Sequence, residues 1–106
     1  MEKKSKFEVI IVLVNSGFAD VVMNAARDEG ARGGTIIHAR GTGNGEIGKK
    51  YNIIITPDKE MIMILVRDDI KEKVLSAIYK AAGLASPGQG IAFSLPVNDV
   101  VGLKFD

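Results

Sequence analysis

Two short runs, VIIVLV at 9–14 and MIMILV at 61–66, are apolar at every position. Runs of this length bounded by charge and turn residues read as strands, because a helix needs ten or more. Side chains of a strand alternate between the two faces of its sheet, so an unbroken apolar run requires cover on both. One layer of helices covers one face only. The chain has 106 residues, long enough for one compact domain and too short for two comfortable ones. Oligomerisation is therefore the natural cover for the second face.

The remaining segments fill in a definite order. In 18–30, Phe18, Val21, Val22, Ala25 and Ala26 share one face at helical spacing, Asn15 or Ser16 is placed to cap, and Gly30 stops the helix. GTIIHAR at 34–40 is β-branched and reads as a strand. An extended pattern at 51–55 is interrupted by Thr56-Pro57-Asp58-Lys59, where Pro57 suits a bulge, a bend or an edge. Asp68-Asp69 opens a second helix, with Ile70, Val74, Ala77, Ile78 and Ala81 on its buried face and Gly83 at its end. SPGQG at 86–90 is a turn, followed by a strand at 91–97 and a last extended piece at 100–105. Strand, helix, strand, strand, helix, strand is the α+β, ferredoxin-like βαββαβ order, with two helices on one face of an antiparallel sheet and an extra C-terminal strand. Residues 1–106 are expected to form this single domain.

Composition removes several function classes. A formal net charge of +1 lacks the basic excess of a nucleic-acid binder, and the basic start, MEKKSK, is a solvated end. The longest apolar run is too short to span a bilayer. Basic residues precede it, as in a signal peptide, but no small-residue cleavage site follows, and a cytoplasmic location is expected. Zero cysteines exclude disulfides, thiol nucleophiles and Cys-ligated zinc.

ARGTGNGEIG at 39–48 holds four glycines and a literal G-x-G-x-x-G at Gly43, Gly45 and Gly48. A dinucleotide fingerprint needs a helix opening directly after the glycines, so that pyrophosphate meets its N-terminus. Lys49-Lys50-Tyr51 instead leads into an extended pattern, and Gly48-Lys49-Lys50 is not a Walker A ending. Two readings remain: a long hairpin loop whose glycines allow positive φ, or a nest of backbone N–H groups for an anion. Catalytic constellations are missing. His38 has no second imidazole or cysteine to share a metal, and Ser16, Ser76, Ser86 and Ser94 have no convincing base. Carboxylate pairs at 28–29 and 68–69 sit at helix ends, where capping accounts for them. Met61 and Met63 alternate on a strand and suit a core or a subunit interface.

Two stretches carry a resemblance. EGARGGTIIHARGTG at 29–43 resembles the PII-family pattern G-x-x-G-M-T-V-x-x-V-x-G-x-G, and AAGLASPGQGIAFSLPV at 81–97 resembles its A-x-T-G-x-I-G-D-G-K-I-F-V-x-P-V. The strand, Asp68-Asp69 and helix between them fall at a compatible spacing. The resemblance implies a ferredoxin-like homotrimer binding adenine nucleotides in clefts between subunits. A long T-loop between the second and third strands would dock on an enzyme, a membrane transporter or a transcription factor.

Carried over by position, Thr35, Arg40, Gly41, Thr42 and Gly43 would border the nucleotide. Lys59 would be the basic residue ending the T-loop, and Leu65 a backbone contact for adenine. Gly88, Gln89 and Gly90 would form the phosphate-side B-loop, and Lys104 would match the second of two C-terminal arginines. The chain departs from the pattern at Gln89, where the family has an acid, and at Ile91, where it has a phosphate-binding lysine. Gly102 replaces the first arginine, Leu84 replaces a threonine, and the T-loop is shortened.

Each missing cation removes charge-assisted bonds of roughly 1.5–3 kcal/mol. No cofactor is required. The expected ligand is an adenine nucleotide (ATP, ADP, AMP or a cyclic nucleotide), and the missing cations favour a less phosphorylated one. The resemblance thus implies a PII-like, nitrogen-regulation type of signalling protein that controls its partner through the loop at 41–50. The alternative is a trimeric interaction module of the same fold, transporter-associated or of the cation-tolerance type, with vestigial clefts. An enzyme finds no support in the residues.

Overall fold

A computed structural model of the chain describes residues 6–42, 49–51 and 57–103. Its elements are β1 (Phe7–Asn15), α1 (Ala19–Asp28), β2 (Thr35–Arg40), β3 (Asp58–Arg67), α2 (Lys71–Ala81) and β4 (Gly90–Val97). The strands form one antiparallel sheet in the order β2-β3-β1-β4. The strands that carry the two all-apolar runs are thus central, and the α+β, ferredoxin-like order expected from the sequence is present.

Alternation divides the sheet. Ile10, Val12 and Val14 of β1 and Ile62, Ile64 and Val66 of β3 face the helices and are essentially withdrawn from water. They meet Val22 and Ala26 of α1 and Val74, Ile78 and Ala82 at α2, forming one core. Each buried Val or Ile there stabilises the fold by about 1.5–3 kcal/mol relative to exposure. The opposite register positions, among them Ile37, Met63, Phe93 and Leu95, point away from the helices and remain exposed.

Local expectations are corrected in several places. Asn15 does not cap α1: the cap position is Phe18, without a side-chain hydrogen bond. Asn15 is still the last rung of β1, opposite Lys59, and its side chain is engaged there. The second helix begins at Lys71 after a turn through 68–70, so Asp68 and Asp69 precede it. Its buried face runs through Val74, Ile78 and Ala82, leaving Ala81 exposed. Val21 of α1 is likewise exposed, while Met23 is buried.

Lys49, Lys50 and Tyr51 are helical, not extended, and 52–55 lies outside the described residues. The extra C-terminal strand is not formed over 100–103, where Gly102 has a φ of +81° and Val101 is 95% exposed. A left-handed residue there breaks the extended path a paired strand needs. Pro57 forms the expected bend, immediately before β3.

Candidate functional site

The C-terminal ends of β1 and β2 and the N-terminal ends of β3 and β4 meet at one end of the sheet, as the antiparallel register requires. Here the polypeptide leaves β2 at Arg40 and returns at Pro57, and the Gly41 N–H donates to the Pro57 carbonyl at 2.7 Å. That bond closes the base of the 41–57 segment. Beside it, Ser16 N–H donates to the Asp58 carbonyl, and Gly17 N–H donates to a Glu60 carboxylate oxygen at 2.8 Å.

Three side chains converge at this end. The Lys59 ammonium donates to Asn15 Oδ1. Asn15 Nδ2 in turn donates to the Gly88 carbonyl at 3.2 Å and to Gln89 Oε1 at 3.3 Å. Lys59, Gly88, Gln89 and Gly90, expected as site residues, are therefore brought together. Gly41 joins them sterically: a Cβ there would lie 2.9 Å from Lys59 Cε, so the lysine stem crosses a position without a side chain.

Gly90 is demanded even more strictly. Its φ is +147°, and a Cβ would come within 2.2 Å of the Leu13 carbonyl oxygen. Only glycine starts β4 there against β1. The turn before it is closed by Gln89 N–H donating to the Ser86 carbonyl.

The other expected residues are placed differently. Arg40 is exposed at the end of β2, opposite Asp58 and on the helix side of the sheet, and Thr42 is exposed just beyond. Gly43 and Lys104 lie outside the described residues. Thr35 pairs opposite Met63, four residues along β3 from Lys59, and Leu65 lies two further on. At about 3.3 Å per residue, Leu65 is roughly 20 Å from Lys59 along the strand. Leu65 there borders a cavity of about 390 Å³ with Arg32, Arg67 and Ile70 among its walls. Within one chain, Leu65 and the Lys59 junction thus lie toward opposite ends of β3, and Thr35 falls between them opposite Met63.

Sequence reasoning missed Asn15 as a site residue, because an asparagine shortly before a helix carries the ordinary signal of a cap. Its place on the rung opposite Lys59 is visible only in the register.

The helical stretch at 49–51 supplies the helix whose absence counted against a dinucleotide fingerprint. The topology still excludes that reading: β3 runs antiparallel to β2, whereas the fingerprint belongs to a parallel β-α-β unit. Among the described residues, no cluster of His, Cys, Asp and Glu is arranged to hold a metal ion, and no helix is long and apolar enough to cross a membrane. His38 is exposed on β2, opposite Glu60.

The family model of nitrogen regulatory protein P-II matches residues 7–106. A nitrogen regulatory protein P-II of Azospirillum brasilense is 31% identical over 91 residues, covering 80% of each chain. The crystal structure of Arabidopsis thaliana PII bound to citrate superposes with a TM-score of 0.70 at 30% identity, over 92% of this chain and 82% of that one. A putative PII-like signaling protein of Thermus thermophilus shares the fold at a TM-score of 0.65 and 16% identity, over 86% and 85% of the two chains. The chain belongs to the P-II family, whose members are regulatory signal-transduction proteins and not enzymes.

Proposed function

We propose that this P-II protein assembles as a homotrimer and binds an adenine nucleotide between subunits, controlling a partner through the 41–50 loop, which lies within the 41–57 segment. The observation that carries the reading is the junction at one end of the sheet. Lys59, the Gly88–Gln89 turn and Gly41 meet where the segment leaves and rejoins the fold. A cation beside a glycine turn suits a phosphate or carboxylate, and its position makes an anion there felt at the base of the segment.

Two further observations support the assembly. The open face of the sheet exposes Ile37, Met63, Ile91, Phe93 and Leu95 together, a patch of the kind that marks an interface. Leu65, roughly 20 Å along β3 from Lys59, is too far from it for both to touch one small ligand within a chain. A neighbouring copy that set its Thr35–Leu65 end beside Lys59 would complete a cleft. Binding would shift the population of segment states through differential contacts with each. The partner is of the nitrogen-regulation type, a metabolic enzyme or a membrane transporter, and the protein acts in the cytoplasm as a single domain.

One observation favours the second reading, a trimeric interaction module with vestigial clefts. Ile91, which stands where the family pattern has a phosphate-binding lysine, is 58% exposed and brings no charge.

Calorimetry with ATP, ADP, AMP, cyclic AMP and citrate, alongside light scattering, decides between them. Citrate is included because the similar Arabidopsis protein binds it. A trimer giving heat with at least one nucleotide is the expected result. A trimer silent to all of them favours the interaction module, and a monomer at high concentration removes the assembly.

A further inference from the structure

We propose that Asn15 is the positioning residue of this site: it holds Lys59 against the Gly88–Gln89 turn without taking the lysine's charge. The proposal rests on reading this end of the sheet as an anion site.

Asn15 occupies the last rung of β1, directly opposite Lys59. Its amide is used on both sides. The oxygen accepts from the Lys59 ammonium, and the nitrogen donates to the Gly88 carbonyl and Gln89 Oε1, at 3.2 and 3.3 Å. This fixes the amide's orientation, because a flipped side chain would face an N–H to the ammonium and an oxygen to two acceptors.

Of the residue types close to asparagine in shape, none does the same. Aspartate would also accept from Lys59, but it would neutralise the lysine and turn its second oxygen toward two acceptors. Leucine would leave all three groups without their bonds. An amide leaves the full positive charge on Lys59 and two further N–H donors on the ammonium. Gln89, whose Oε1 is occupied by Asn15, keeps its own amide N–H groups. The position therefore presents donors and positive charge while its acceptors are turned inward, which is the arrangement an anion requires.

The same contacts form a continuous chain of atoms. It runs from the 88–89 turn through Asn15 to Lys59, whose stem lies across Gly41, and Gly41 is bonded to Pro57. An anion that draws Lys59 or Gln89 outward must change the bonds of Asn15, and the base of the 41–57 segment feels it. Spatial continuity does not by itself establish such coupling; a mutant cycle does.

The test uses the full chain and two readouts. In the first, Lys59→Met is made in the wild-type and Asn15→Ala backgrounds, and the NMR shifts of the Gly88 and Gln89 amides are compared. Lys59→Met should move these amides in the wild type and move them at most about a third as far once Asn15 is gone. Equal shifts in the two backgrounds overturn the positioning role.

In the second, calorimetry with ADP is run on wild type and Asn15→Asp. The aspartate variant should stay folded, as the dispersion of its amide spectrum checks, and bind about tenfold more weakly, the equivalent of one lost charge-assisted bond. Unchanged or tighter ADP binding overturns the claim that the amide preserves the lysine's charge. If wild type gives no heat with ADP, the nucleotide reading loses that ligand, and the amide-shift comparison alone decides the role of Asn15. Should Asn15→Ala fail to fold, Asn15→Ser replaces it in the first comparison with the same two outcomes.

Discussion

On the helix side of the sheet, Ile10, Val12, Ile62 and Ile64 are wholly withdrawn from water. One residue along the same strands, Met63 is 37% exposed, and across the sheet Phe93 is 38% and Ile91 58% exposed. Within 9–14 and 61–66 both faces are built of large apolar side chains, and intrinsic strand preference cannot separate them. What differs is cover. Two helices lie on one face, and among the described residues nothing lies on the other. The closed face accounts for the stability of the protomer, and the open one is the face that the proposed assembly would cover. Asn15, Lys59 and the Gly88–Gln89 turn meet where the two faces end, at the base of the 41–57 segment.

The comparison breaks first at Ile64. Ile64→Ala should cost about 2–5 kcal/mol in a urea titration, since it removes most of a fully buried side chain and leaves a cavity. A loss below about 1 kcal/mol would mean that the helix face is not a closed core.

Its neighbour sharpens the contrast. Met63→Ala should cost under about 1 kcal/mol at dilutions where copies are separate, because part of the side chain already meets water. The cost should rise with protein concentration if copies cover this face. A cost indifferent to concentration would leave the open face uncovered in solution.

The smallest effect concerns charge on the closed side. Glu8 and Lys71 form an ion pair of 3.8 Å between β1 and the start of α2. Glu8→Gln should cost about 0.2–1 kcal/mol and lose that effect in high salt, as expected of a partly solvated pair. A larger loss would show that helix α2 is held to the sheet by more than apolar packing.

Much of this was legible beforehand. The two-sided apolar runs identified the central strands. The glycines at 83, 88 and 90 marked the end of a helix and the start of a strand, because positive φ and a close backbone approach leave no other residue type there. The family pattern at 81–97 pointed to the Gly88–Gly90 turn, and carrying over the basic residue that ends the family's T-loop pointed to Lys59. Less legible were features that depend on neighbours distant in the chain. Asn15 reads locally as a helix cap, yet it is recruited by partners at 59 and at 88–89. Helix rotation had the same character: a pattern that put Ala81 inward gave way to one that buries Ala82, one residue on.

The amino-acid sequence by itself determined the order of elements, the demand for cover on both sides of the sheet, and the family. The first two follow from period and punctuation, which are local properties, and the family from the resemblance of 29–43 and 81–97 to its pattern. Only the tertiary structure decided which ends of which strands meet. Antiparallel register set Asn15 opposite Lys59 and the start of β4 beside them, and it parted Thr35 and Leu65 from that junction. Register is a relation between segments far apart in the chain, carried by ladder hydrogen bonds whose identity no single stretch specifies.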